Sequence, residues 1–128
     1  MKKILFIVIV VFTIIACNNS PGEKIQGSWK FTSGETPQNP KDSSVVLETY
    51  AIFGYMMAGV DHIEFTKDKV FLIGKKGDTL ETYVYTIRND TIKGIDSKKD
   101  ATRFKFEINK NKLRLYNENG ALYVFEKK

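Results

Sequence analysis

Residues 79–108 read TLETYVYTIRNDTIKGIDSKKDATRFKFEI, and the two-residue rhythm in this stretch decides the fold. Tyr83, Tyr85 and Ile87 share one face of an extended chain, and Phe104, Phe106 and Ile108 share one face of another. Successive side chains of a strand point to opposite faces, so each run presents an apolar side and a polar side. Arg88-Asn89-Asp90 and Ser97–Ala101 break the rhythm with residues that favour turns.

The same pattern extends in both directions. Gly27–Thr32, His62–Thr66, Val70–Ile73, Thr79–Ile87, Thr91–Asp96, Thr102–Ile108, Lys112–Tyr116 and Ala121–Lys127 read as eight short strands joined by polar turns. Trp29 pairs in phase with Phe31, Ile63 with Phe65, Phe71 with Ile73, Leu113 with Leu115, and Tyr123 with Phe125. Lys30, Glu64, Glu81, Arg103, Lys105, Glu107, Arg114 and Glu126 are assigned to the other face. Val70/Leu72 and Leu122/Val124 break strict alternation, so those strands read as buried on both sides or as partial cover for a mouth.

A sheet with one apolar face must cover it, and little sequence is left for helices. Curling the sheet upon itself covers the face and removes exposed edges together. The expected fold class is all-β: an eight-stranded antiparallel meander closed as a barrel, with one short helix between the first two strands. That helix is expected over Ser44–Ala58, after a polar loop over Ser33–Ser44. There Val46, Tyr50, Phe53 and Met57 recur at helical spacing, and Gly59 follows as a stop. The alternative for this stretch is an irregular apolar strand broken at Gly54.

The N-terminus has a different composition. Lys2 and Lys3 precede Ile4–Ala16, where only Thr13 is polar. A basic start, an apolar run of this length and a small residue at its end describe a secretory signal. A helix of that length reaches only roughly 20 Å, short of the roughly 30 Å hydrocarbon core. The formal charge of +5 loses two units with Lys2 and Lys3, which excludes a strongly basic nucleic-acid binder. The expected organisation is a signal peptide over 1–16, a flexible tether over 17–24 (it includes NNSPGEK) and a barrel domain over 25–128.

Three resemblances sharpen this reading. Ile14-Ile15-Ala16-Cys17 resembles the lipobox of bacterial lipoproteins, which implies cleavage before Cys17 and acylation of its sulfur and new amine. Each buried CH₂ is worth roughly 0.8 kcal/mol, so two or three acyl chains would anchor the protein durably. Asn18, where some lipoproteins carry a retaining Asp, implies the outer membrane, facing the periplasm. Cys17 is the chain's one cysteine. The mature domain is therefore expected to have neither a disulfide nor a thiol nucleophile.

Gly27-Ser28-Trp29 with the strands behind it resembles the lipocalin-like group, in which a G-x-W motif opens the barrel and its Trp closes the bottom. Together with the lipobox, the pattern is similar to small bacterial lipocalin-like lipoproteins, a resemblance that implies binding of a small apolar molecule. Typical lipocalins stack a basic residue on the Trp, and no residue is assigned to that place from sequence. A helix between the first two strands is more similar to intracellular fatty-acid-binding proteins. Those carry R-x-Y for the ligand carboxylate, and Arg114-Leu115-Tyr116 matches it in letters. With Leu113 and Leu115 inward, however, Arg114 and Tyr116 face out.

The expected lining is Trp29, Phe31, Phe65, Phe71, Tyr83, Tyr85, Phe104, Phe106 and Phe125. Two outcomes stay open: the rings fill the barrel as a solid core, or they enclose a guest oriented by the Tyr83 and Tyr85 hydroxyls. No catalytic set is expected. His62 is the only His and reads as a surface residue beside Asp61 and Glu64, which excludes a multi-histidine metal centre. Gly74–Asp78 lacks the spacing of a phosphate-binding loop and reads as a hairpin turn. Asp78-Thr79-Leu80 and Asp90-Thr91-Ile92 resemble a short bacterial O-glycosylation signal. The lysines fall at turns and ends, where a cluster at one rim would face anionic lipid. The expected protein is a monomeric binding module without cofactor, nucleic acid or catalytic activity. The alternative is a packed module that engages an envelope protein.

Overall fold

A computed structural model describes residues 21–128. The leader and Cys17 lie outside the described residues. The elements run α1 (Pro21–Ile25), β1 (Gly27–Glu35), α2 (Ser43–Ala58), β2 (Val60–Phe65), β3 (Lys69–Gly74), β4 (Thr79–Arg88), β5 (Thr91–Ile95), β6 (Ala101–Asn109), β7 (Lys112–Asn117) and β8 (Leu122–Lys127). All eight strands pair with their sequence neighbours, and β1 also pairs with β8, closing an antiparallel barrel. Among the described residues, no helix is long and apolar enough to cross a membrane.

Short turns make the meander possible. Arg88 pairs with Thr91 and Asn109 with Lys112, leaving two-residue loops in which Asn89 and Lys110 take positive φ of 57° and 56°. Such turns match the twist of the strands they join. The first strand is longer than its sequence pattern indicates. It runs through Ser33–Glu35 after a register shift between Phe31 and Ser33, and these residues continue the ladder to β8.

The start of the barrel is fixed by three residues. Gly27 sits at φ 121°, a conformation other residues rarely adopt, so the chain can turn from α1 into β1. Trp29 is fully buried, and its indole Nε1 donates to the Ile25 carbonyl at 2.7 Å. Lys127 Nζ lies 5.3 Å from the Trp29 ring centroid and so fills the basic position left unassigned from sequence. The assignment was missed because the two residues lie at opposite ends of the domain, and only the β1–β8 pairing, Trp29 opposite Lys127, brings them together. Pro21–Lys24, assigned to the tether, forms most of α1, and the fully buried Ile25 ends that turn beneath Trp29.

Helix α2 starts where Asp42 accepts from the backbone N–H of Ser44 (2.8 Å) and Val45 (3.3 Å). It ends where the Gly59 N–H donates to the Tyr55 carbonyl at 2.8 Å. Its buried face differs from the expected stripe. Thr49 and Met56 are buried and Phe53 packs on the core, whereas Tyr50 and Met57 stand 60% and 54% exposed. The helix is apolar on most of its circumference, so spacing alone could not say which side faces in. Phe53 decides the docking: its ring stacks on Phe31 (5.9 Å between centroids) and meets Tyr123 edge-on (5.2 Å).

Candidate functional site

The barrel encloses a cavity of about 420 Å³. Strands β2 to β8 supply most of its wall through alternate inward positions. Ile63 and Phe65 come from β2, Val70 and Leu72 from β3, Tyr83 and Tyr85 from β4, and Ile92 and Gly94 from β5. Thr102 and Phe104, Leu115 and Asn117, and Tyr123 and Phe125 complete it. Ile52, Tyr55 and Met56 of α2 close part of one end. Ile52 and Tyr55 are also 44% and 46% exposed, so they stand at the entrance. A dry apolar cavity of roughly 150 Å³ holds one benzene ring. This one has room for a guest several carbons larger, within the size range of small-molecule sites.

Of the nine expected lining residues, Phe65, Tyr83, Tyr85, Phe104 and Phe125 meet on this wall. Four do not. Trp29 plugs the closed end. Phe31 is buried against Phe53 and Phe125, the latter ring 5.5 Å away. Phe106 is buried opposite Leu115 in the β6–β7 ladder. These three pack the core without touching the free space. Phe71 is a true inversion: Val70 and Leu72 line the cavity, which turns Phe71 and Ile73 to the outer face opposite Glu64 and His62. Val-Phe-Leu-Ile is apolar at every position, so its alternation carried no information about direction.

Two polar groups of the wall, the Tyr85 hydroxyl and the Asn117 oxygen, are already engaged. The Tyr85 hydroxyl donates to the Thr66 carbonyl, so its proton is not available to orient a guest as expected. Asn117 Oδ1 accepts from the N–H groups of Asn119 (3.0 Å) and Ala121 (2.9 Å), holding the β7–β8 turn. Burial raises the Tyr123 phenol above its ordinary pKa, and the Asn117 side chain partly offsets the shift. Burial also raises Tyr85, with a smaller contribution from Asp68. For Tyr83, burial acts first and the negative charges of Glu81 and Asp96 add to it. Glu81, read from sequence as outward, has the same parity as Tyr83 and stands close enough to act on it. A register shift between Leu72 and Ile73 bends this part of the β3–β4 ladder.

Several wall residues had no clear sequence signal. Gly94 is one that could have been found. A glycine inside a strand marks a place where something else occupies the space of a side chain. Here a Cβ would lie 3.7 Å from the Tyr83 side chain and point into the cavity. Ile52, Tyr55 and Met56 were missed because the helix face was misjudged by about one residue.

Arg114 and Tyr116 alternate with the buried Leu113 and Leu115, so the R-x-Y letters lie on the outer face. His62 is also outside the cavity. Its Nδ1 lies 2.7 Å from Asp61 Oδ2, and Lys128 Nζ lies 2.6 Å from the same oxygen. Among the described residues, no three His, Cys, Asp or Glu side chains gather as a metal-binding group.

No known family model matches the chain, and no curated protein matches it. Its structure is similar to that of an uncharacterized protein from Bacteroides eggerthii, with a TM-score of 0.53 and 18% sequence identity. The match covers 80% of this chain and 98% of that one. The likeness shows a shared barrel fold.

Proposed function

We propose that this protein is a lipocalin-like lipoprotein of the bacterial cell envelope that holds a small apolar molecule inside its barrel. The observation that carries the reading is the cavity of about 420 Å³, walled mainly by aliphatic and aromatic side chains and partly closed by α2. A core packed solid would leave no such space. The Gly27-Ser28-Trp29 motif, and Lys127 above the Trp29 ring, support the lipocalin-like assignment. The lipobox letters ending at Cys17 support a diacylglycerol anchor there, and Asn18 after it supports an outer-membrane site facing the periplasm. The absence of an assembled catalytic set in the sequence reading makes this a carrier or sensor in preference to an enzyme.

The test is native mass spectrometry of the protein extracted from its own host, joined to uptake of a neutral fluorescent probe. A bound molecule or saturable uptake is expected. A protein that arrives empty and takes up no probe overturns the reading. Metabolic labelling with an alkyne fatty acid tests the anchor: label is expected on the parent and should vanish in Cys17→Ser.

A second reading has one observation in its favour. Leu47, Tyr50 and Met57 form an apolar stripe along the outer side of α2 and are 70%, 60% and 54% exposed. Patches of this kind often mark contacts with other proteins. Site-specific photocrosslinking from position 50 in the host would give a discrete adduct if an envelope protein covers the stripe.

A further inference from the structure

We propose that the guest of this barrel is an uncharged apolar molecule, and that ionised long-chain carboxylates are turned away. The inference rests on the container reading above and narrows its ligand class.

Three observations carry it. The first is the chemistry of the wall, which contains no Lys, Arg or His. A carboxylate placed there would give up its hydration with no cation to offset the loss. Arg114, the residue that a fatty-acid-binding motif would offer, lies on the outer face. It alternates with Leu113 and Leu115, both buried, so reaching the interior would require a one-residue register slip.

The second is hydrogen-bond satisfaction. Among the described residues, no buried side-chain nitrogen or oxygen lacks a partner. The Tyr85 hydroxyl donates to Thr66, and the Asn117 oxygen is held by two backbone N–H groups. The remaining hydroxyls of the wall, on Tyr83, Thr102 and Tyr123, are neutral and bring no positive charge to an anionic head group. The wall offers a guest shape, apolar contact and a few neutral hydroxyls.

The third concerns the entrance, where the head group of an amphiphile would sit if its tail entered first. Asp96 accepts from the N–H groups of Lys98 and Asp100, both at 2.9 Å, which fixes its carboxylate in the β5–β6 loop. Asp96 is half-buried while Lys98 and Lys99 of the same loop are exposed. Glu81 pairs with the wall residue Leu72, and the Asp96 loop follows the Ile95–Ala101 pair next to the wall residue Thr102. Both carboxylates therefore stand at the end of the barrel near Tyr83, whose phenol they help to raise after burial. A carboxylate at this position meets like charge, whereas a hydroxyl, ester or ketone does not.

The experiment compares decanol with decanoate, two guests of one chain length that differ in charge. Each displaces N-phenyl-naphthylamine, a neutral probe, from the purified full-length protein at mildly alkaline pH, where decanoate is ionised. Decanol is expected to displace the probe at concentrations lower by roughly tenfold or more. Thr102→Lys places a cation on the wall, at a strand position that is also exposed to solvent. It is expected to bring decanoate within about threefold of decanol, with native tryptophan fluorescence confirming the fold. Equal or stronger displacement by decanoate in the parent overturns the inference, as does a folded Thr102→Lys protein with no gain for decanoate. A parent that takes up no probe at all defeats the container reading itself, which is a separate and distinguishable failure.

Discussion

Lys127 Nζ stands 5.3 Å from the centre of the Trp29 ring, so residues from the first and last strands lock the closed end of the barrel together. The same ammonium reaches towards the Gln26 carbonyl at 3.4 Å, while the indole N–H is bonded to Ile25. One side chain thus covers the ring that α1 and β1 hold from below. Lys127→Met should lower stability by about 0.5–1 kcal/mol through loss of the cation–π contact. Trp29→Ala should cost about 3–5 kcal/mol. Urea unfolding checks both. For Lys127→Met the transition can be followed by Trp29 emission, since the chain has one tryptophan.

Gly34 and Phe53 form a second lock, at the helix. A Cβ at Gly34 would run into the Phe53 ring, which lies flat over this part of β1. Gly34→Ala should therefore push α2 off the barrel and destabilise the protein by about 1–3 kcal/mol, the usual range for overpacking. Hydrogen exchange of the α2 amides should accelerate more than that of β5 and β6.

Gly94 keeps the cavity open. Its Cβ position has ordinary van der Waals clearance to Tyr83, and beyond it lies free space. Gly94→Leu should fill part of that space and weaken probe uptake by roughly tenfold or more, equivalent to about 1.4 kcal/mol. The melting temperature should hold or rise. Unchanged uptake in the folded variant would count against this cavity as the binding site.

Phe65 and Phe71 test the facing of β2 and β3. Phe65 is buried on the wall and Phe71 is half-buried on the outside. Phe65→Ala should cost about 3–5 kcal/mol, or somewhat less if the enlarged cavity collapses. Phe71→Thr should cost below about 1 kcal/mol, as expected away from the core. Thermal and urea denaturation of the two variants gives the comparison.

Asp61 sets a pH dependence. Hydrogen bonds from Lys128 first, then His62, hold its carboxyl down from 3.8 to about 2. A folded-state pKa below the unfolded value adds stability above the unfolded pKa, and that contribution is lost as pH falls through the folded one. The loss should therefore fall between about pH 4 and about pH 2. Carboxyl NMR titration should find the Asp61 midpoint well below that of an ordinary aspartate, and Lys128→Met should move it upward.

The barrel was legible because most of the eight runs in the chain alternate, and period-2 patterning is a local property that neighbouring letters carry. Gly27-Ser28-Trp29 was legible as a start for a similar reason: a glycine at an unusual φ and a buried indole act within a few residues. Phe65, Tyr83, Tyr85, Phe104 and Phe125 converge because their strands have one apolar face each. Where both faces are apolar, as in Val70–Ile73 and α2, the letters gave no direction. Neighbouring elements chose it: β2 and β4 for the strand, Phe31 and Tyr123 for the helix.

The amino-acid sequence by itself determined the number of strands, their order and most of the rings that face inward, because these follow from interactions between residues a few positions apart. Only the tertiary structure decided that Lys127 covers Trp29, that α2 turns Met56 inward and Met57 outward, and that a cavity remains among so many rings. Those outcomes depend on how strands distant in sequence curve and close upon one another. The volume left inside is a small difference between a large enclosed space and the side chains that fill it, and no local pattern encodes that difference.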